Sequence, residues 1–158
     1  MSEMVTIRAA TPDDALAVSS LYLVSRRRFL PYAPVAHTDD EVHRWVAEHL
    51  IPTCDVSVAV VDHTIVGMMA LLDDGTVRWI DQLYLLPAVL NQGIGTRLLQ
   101  QALQELEPPV CLYTFQENTG ARRFYERHGF RAIAFGDGSG NEEGCPDVLY
   151  EWLGTSPS

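Results

Sequence analysis

The sequence predicts one α+β, sandwich-like domain over residues 1–158: a mixed, mostly antiparallel sheet of six to seven strands with about four helices, in the order β-α-α-β-β-β-α-β-α-β-β. Three observations predict it. The apolar residues keep a helical period in two early segments, switch to β-rich runs in the middle, then alternate helix and strand to the end. The length of 158 residues suits a single domain that buries about two-thirds of its unfolded surface. No repeat, linker or low-complexity tract divides the chain.

Val5 to Arg8 reads as a short strand. Thr11-Pro12-Asp13-Asp14 reads as a helix start, with a hydroxyl cap, proline at the first helical position and acids against the helix dipole. Val18, Leu21, Tyr22, Ser25 and Phe29 follow at helical spacing until Pro31-Tyr32-Ala33-Pro34 breaks the chain. Thr38-Asp39-Asp40-Glu41 has capping-box spacing, and Val42, Trp45, Val46, His49 and Leu50 supply an apolar stripe that runs up to Pro52. Val56 to Val61, Ile65 to Leu72 and Val77 to Leu86 form an antiparallel meander, parted by Asp62-His63 and Asp73-Asp74-Gly75. Thr96 to Leu106 returns to helix, with Leu98, Leu99, Ala102, Leu103 and Leu106 on one side and Pro108-Pro109 as its stop. Val110 to Phe115 is a strand, and Asn118 to His128 a helix closed by Gly129. Arg131 to Phe135 and Asp147 to Trp152 complete the sheet around a mobile-looking loop, Gly136 to Gly144, and Gly154 to Ser158 read as a frayed end.

Composition excludes several classes. No stretch approaches the ~20 apolar residues of a membrane span, and the start has no basic and apolar leader pattern, so a cytoplasmic protein without a membrane partner is expected. Cys54, Cys111 and Cys145 are far apart with no clustered histidines, so no metal is expected. Eleven basic against twenty-one acidic residues give a net charge of −10, which argues against nucleic acid and fits a cationic substrate better. Acidity of this degree also serves solubility alone.

The sharpest local feature runs from Leu86 to Thr96, where a strand ends, the chain turns and a helix begins at Gly93 and Gly95. Free N–H groups at such a turn, together with the helix dipole, hold anions such as a pyrophosphate, and glycine admits close approach. A dinucleotide fingerprint would need glycine at Leu98, and a P-loop would need Gly-Lys-Ser/Thr where Gly95-Thr96-Arg97 stands. A second constellation follows at Asn118, Ala121 and Tyr125. They stand at i, i+3 and i+7 along roughly 10 Å of one helix face, beside which a ligand could lie. A plain N-cap and a half-buried amphipathic tyrosine are the alternative.

Taken in order, Leu83-Tyr84-Leu85-Leu86-Pro87, then Gln92-Gly93-Ile94-Gly95-Thr96-Arg97-Leu98-Leu99, then Asn118-x-x-Ala121-x-x-Phe124-Tyr125-x-x-x-Gly129-Phe130 resemble the two adjacent cofactor motifs of GNAT acetyltransferases. The element order resembles that fold across nearly the whole chain. The resemblance implies acetyl-CoA as cofactor, an amine acceptor that is a small molecule or a protein, direct transfer in a ternary complex, and splayed fourth and fifth strands. It implies cofactor contacts from Leu83, Tyr84, Leu85, Asn91, Gln92, Gly93, Ile94, Gly95, Thr96, Arg97, Asn118, Ala121, Phe124 and Tyr125. Within that set, the Leu83 N–H matches the family's donor to the thioester oxygen, Leu85 pairs the pantetheine amides, and Tyr125 is the general acid. Dimers are frequent among such proteins, which leaves a homodimer open.

One departure stands out: Leu90 occupies the position where the family usually has Arg or Gln, which shifts phosphate binding toward Gln92, Thr96 and Arg97. Arg122 and Arg123 could meet the ribose phosphate. Asp81 lies where the family often places the carboxylate that takes the amine proton. Strand alternation puts it on one face with Leu83 and Leu85, and a structural carboxylate is the equal alternative. Glu142, Glu143 and Asp147 are further acids for a cationic amine, and Tyr32 and His37 stand where the family builds its acceptor wall. In Arg26-Arg27-Arg28, neighbours point about 100° apart, which reads as a solvated face without function. The rival function is a non-catalytic acyl-CoA sensor or partner-binding module, against which Tyr125 and Asp81 argue.

Overall fold

The structure, a computed structural model, describes residues 4–33 and 36–154. Pro34 of the expected break and residues 155–158 of the expected frayed end lie outside the described residues. Strands β1 (Thr6–Ala9), β2 (Asp55–Val61), β3 (Thr64–Asp73), β4 (Arg78–Leu85), β5 (Val110–Phe115), β6 (Arg131–Gly136) and β7 (Asp147–Trp152) form one sheet in the spatial order β1-β2-β3-β4-β5-β7-β6. All neighbours pair antiparallel except β4 and β5. This is the α+β architecture and element order that the periodicity predicts.

Alternation along the strands loads both faces of the sheet, and helices cover each. On one face, α1 (Ala15–Phe29), α2 (Asp39–Trp45) and the turn that follows it bury Val18, Leu21, Val42 and Val46 against Val56, Val58, Met68 and Ala70. On the other, α4 (Ile94–Glu105) and α5 (Thr119–Arg127) bury Leu98, Leu99, Ala102 and Tyr125 against Val110, Leu112, Val148 and Tyr150. Each fully buried aliphatic side chain contributes about 1.5–3 kcal/mol, so the sheet is held from both sides.

The second helix runs on past Pro52. Residues Val46–Leu50 widen into a π turn in which the Ile51 N–H reaches the Val46 carbonyl, and a last turn, α3 (Ile51–Thr53), follows with Cys54 N–H bonded to Leu50 O at 2.9 Å. The widened turn carries the chain past a proline that has no N–H to satisfy. Helix α4 begins at Ile94, earlier than its apolar stripe suggests, because Gly93 takes φ +84° and turns the chain directly into the first turn. The loop expected to be mobile is tied down: the Asn141 amide donates to Cys145 O (2.8 Å) and accepts from Cys145 N–H (3.2 Å), and Glu142 meets His37 at 3.1 Å.

Two irregularities in β4 shape the site. Beside β5, only Arg78 and Trp79 pair, with Val110 and Cys111, after which the two strands diverge. Beside β3, Ala70 opposes Gln82 while Leu71 opposes Ile80, so one extra residue bulges out of β4 at Asp81.

The entry into α1 depends on Asp14, whose carboxylate accepts from Arg8 (2.8 and 3.0 Å) and from the Thr11 N–H (2.7 Å). The Arg8 partner holds its pKa down at about 2, against ~3.9 unfolded. A depressed carboxylate adds stability above pH ~4 that is lost as pH falls toward 2. Asp14→Asn should therefore lower stability at pH 7 by about 0.5–1 kcal/mol and flatten the pH 4 to 2 limb of the unfolding curve, read by thermal melts. An unchanged acid limb would remove Asp14 from that role.

Candidate active site

The pairing of β3 with β4 determines which backbone groups are free. Leu86 N–H bonds Val66 O at 2.8 Å, so in this register residues 84 and 82 share ladder bonds with β3, while Leu83 and Leu85 turn their N–H and C=O toward the opposite edge. That edge has no strand beside it, because β5 has already diverged. An unpaired strand edge in a cleft accepts an extended, amide-bearing ligand as an added strand would.

The gap opens into two cavities. The first, about 590 Å³, lies on the α4 and α5 side. Of the expected cofactor residues, Leu83, Tyr84, Leu85, Asn91, Gly93, Gly95, Thr96, Asn118, Ala121, Phe124 and Tyr125 line it. The first turns of both helices line it, and the Asn118 side chain accepts from the Ala121 N–H at 3.2 Å. A Cβ on Gly93 would meet no protein atom within 4 Å, so it would project into the space before the first turn of α4. Gly95 differs: its Cβ would come 3.3 Å from Leu85 and 3.5 Å from Phe124, which makes it a packing glycine. A polyanion joined to an amide-bearing arm fits this donor set.

Three expected cofactor residues fall outside the cavity wall. Gln92 donates to Ala88 O at 3.3 Å, Ile94 is buried in the core, and Arg97 donates to Val5 O at 3.2 Å. Arg122 is also occupied, by the Tyr150 hydroxyl and Gln116 O, whereas Arg123 reaches the cavity wall. Leu90 lines the wall in place of the basic or amide side chain usual there. Arg127 lines it too and was not anticipated, although its position four residues after Arg123 places both on one helix face. Ser25, Phe29 and Leu30, at the end of α1, close the cavity from a part of the chain that no local spacing connects to it.

Tyr125 is 7% exposed, and its hydroxyl has no hydrogen-bond partner among the described residues. Burial raises its pKa above the usual tyrosine value, with the nearby Tyr84 phenol adding to the rise, so the proton stays on oxygen. Thr96 Oγ1 lies 3.3 Å from His128 Nε2, whose pKa is lowered by burial and by Arg127.

The second cavity, about 1090 Å³, lies on the α1 and α2 side, against the open face of β5, β7 and β6. His37, Asp81, Glu142, Glu143 and Asp147 line it, while Tyr32 does not: its ring packs on Phe115 instead, with centroids 6.2 Å apart. The expectation that Asp81 shares a face with Leu83 and Leu85 is wrong. The bulge sends Ile80 to the core face with those leucines and turns Asp81 into the second cavity beside Gln82. Tyr84 lines both cavities, so the two spaces adjoin at this residue. The reading of Arg26-Arg27-Arg28 as a solvated face also needs correction. Arg27 pairs with Asp39 at the surface, but Arg26 is 7% exposed and faces the second cavity, because its place on α1 points at the gap between Tyr22 and Phe115.

The family model for the acetyltransferase (GNAT) family matches residues 21–130, and the chain belongs to that family. It is thus an acyltransferase by class, and its fold and site accommodate acetyl-CoA as the cofactor. An uncharacterized N-acetyltransferase of Archaeoglobus fulgidus is 30% identical over 148 residues, covering 86% of this chain and 99% of that protein. Among solved structures, apo-form YjaB from Escherichia coli superposes with a TM-score of 0.74 at 22% identity, covering 96% of this chain and 99% of that one. The PaiA N-acetyltransferase from Thermoplasma acidophilum, solved in complex with coenzyme A, superposes with a TM-score of 0.73 at 19% identity, covering 96% and 99%. These two share the fold.

Gly93 and Gly95 separate two effects. Gly93→Val should strain the backbone by about 1–3 kcal/mol and abolish most of the melting-temperature rise that acetyl-CoA produces, because its side chain enters the phosphate space. A variant that folds and keeps the full acetyl-CoA shift would show that the turn holds no phosphate.

Proposed function

We propose that this protein transfers an acetyl group from acetyl-CoA to an amine by direct attack within a ternary complex. One observation carries the reading: two cavities, one lined by helix N-termini and the open β4 edge and the other by acids, meet at Tyr84. The first suits an acyl donor with a phosphate-bearing handle; the second suits a cationic acceptor. Because both cavities adjoin Tyr84, donor and acceptor can meet without a covalent enzyme intermediate.

Acetyl-CoA supplies a thioester carbonyl whose oxygen gains negative charge as the amine attacks. The Leu83 N–H, left unpaired on the β4 edge, is the donor that serves this oxygen. Tyr125 holds a proton at its hydroxyl in the same cavity and delivers it to the departing sulfur. Since a thiol has a pKa of only about 8.5, that proton accelerates departure without being indispensable. On the acceptor side, Asp81, turned into the second cavity by the bulge, takes the amine proton directly or through water.

Purified protein should release free thiol from acetyl-CoA in the presence of a suitable amine and not in its absence. Tyr125→Phe keeps the ring and should leave stability and acetyl-CoA affinity nearly unchanged while the transfer rate falls about 10²-fold. Wild-type turnover in that variant, with transfer rate-limiting, would make Tyr125 a packing residue only. Cofactor binding with no thiol release for any amine would favour a sensor.

A further inference from the structure

Building on the acetyltransferase reading, we infer that the acceptor is an amine that also bears a carboxylate, and that Arg26 is the group that holds that carboxylate.

Arg26 is the exception among the cations of the second cavity. It is only 7% exposed, in the last turn of α1, yet no carboxylate lies within 4 Å of it among the described residues. One terminal nitrogen donates to Ala33 O at 2.9 Å and the Tyr84 hydroxyl is a further polar neighbour, while Nε is buried with no hydrogen-bond partner among the described residues. The Tyr22 and Phe115 rings both lie against the guanidinium, with centroids 5.8 and 5.7 Å from its carbon. A buried guanidinium without a counter-ion in contact is strongly unfavourable, and a carboxylate entering the cavity supplies the missing counter-charge.

The same wall holds the opposite pole. Glu143 Oε2 is also buried without a hydrogen-bond partner among the described residues, and it is not in salt-bridge contact with Arg26. Two unsatisfied groups of opposite sign in one cavity match a ligand with an ammonium and a carboxylate. A purely cationic polyamine would leave Arg26 uncompensated. Arg26 and Glu143 line the second cavity together with Tyr84, which also lines the donor cavity, so this polar pair shares a wall with the junction. A compact amino acid bound between these poles would therefore present its amine where the acetyl group arrives.

The test compares kcat/KM for acetyl transfer to the common α-amino acids and to their carboxamides, which keep the amine and lose the charge. Wild-type protein should favour the best free amino acid over its carboxamide by about 10²-fold. Arg26→Gln should cut kcat/KM for the carboxylate about 10²-fold and leave the carboxamide within about threefold, and Arg26→Lys should fall between. Equal use of both acceptors by wild type would overturn the inference while leaving the acetyltransferase reading intact. So would an equal loss for both in Arg26→Gln, which would make Arg26 a structural tie to Ala33. If no amine is acetylated, the reading of function fails on its own, and melting of the coenzyme A complex with the same ligands decides about Arg26. Stabilisation by amino acids and not by carboxamides, lost in Arg26→Gln, supports the carboxylate site; no difference overturns it.

Discussion

Between Ile80 and Leu85, strand β4 hydrogen-bonds on one side only, and the site is arranged around that one-sidedness. A central strand normally spends its N–H and C=O groups on two neighbours. Here β5 departs after two pairs, which leaves the Leu83 and Leu85 backbone facing a cleft instead of a partner. The bulge at Asp81 adds a second consequence. It rotates one carboxylate out of the leucine face and into the opposite cavity, so a single strand serves both halves of the cleft with different chemistry.

Opening a sheet in its middle requires that the two halves be held by something other than their shared ladder. Both helical layers supply it. Leu98, Leu99 and Tyr125 are packed against Val110, Leu112 and Val148 from β5 and β7, and also against Met69 and Ile80 from β3 and β4. On the other face, α1 and α2 cover β2 and β3 and leave the open face of β5, β7 and β6 uncovered, which becomes the wall of the larger cavity. Tyr84 stands at the seam, its ring edge-on to Tyr22 at 5.0 Å. Burial raises its pKa, with Arg26 opposing that rise, so it stays protonated as a polar wall shared by donor and acceptor.

Local sequence carries much of this. Strand and helix periods, the Thr38 cap, the Gly93 turn and the Asn118 cap are written in neighbouring residues, and each is found where its chemistry places it. What the sequence does not carry are consequences of pairing. The bulge depends on how β3 registers against β4, so simple alternation misassigns Asp81 to the face of Leu83 and Leu85. Arg26 belongs to a basic run that looks solvated, and only the packing of α1 against Tyr84 and Phe115 turns it inward. Arg97 and Arg122 look free for phosphate, but Val5 O in one case and Tyr150 in the other, both remote in sequence, occupy them.

The central claim is that Leu83 and Leu85 offer unpaired backbone to the acyl donor, and amide hydrogen exchange resolved by residue tests it most directly. In the free protein the Leu83 and Leu85 amides should exchange much faster than that of Tyr84, which is bonded to β3. Saturating acetyl-CoA should slow Leu83 and Leu85 by at least about tenfold and leave Tyr84 nearly unchanged. Leucine amides already protected in the free protein, or exchange unaltered by acetyl-CoA, would contradict the account.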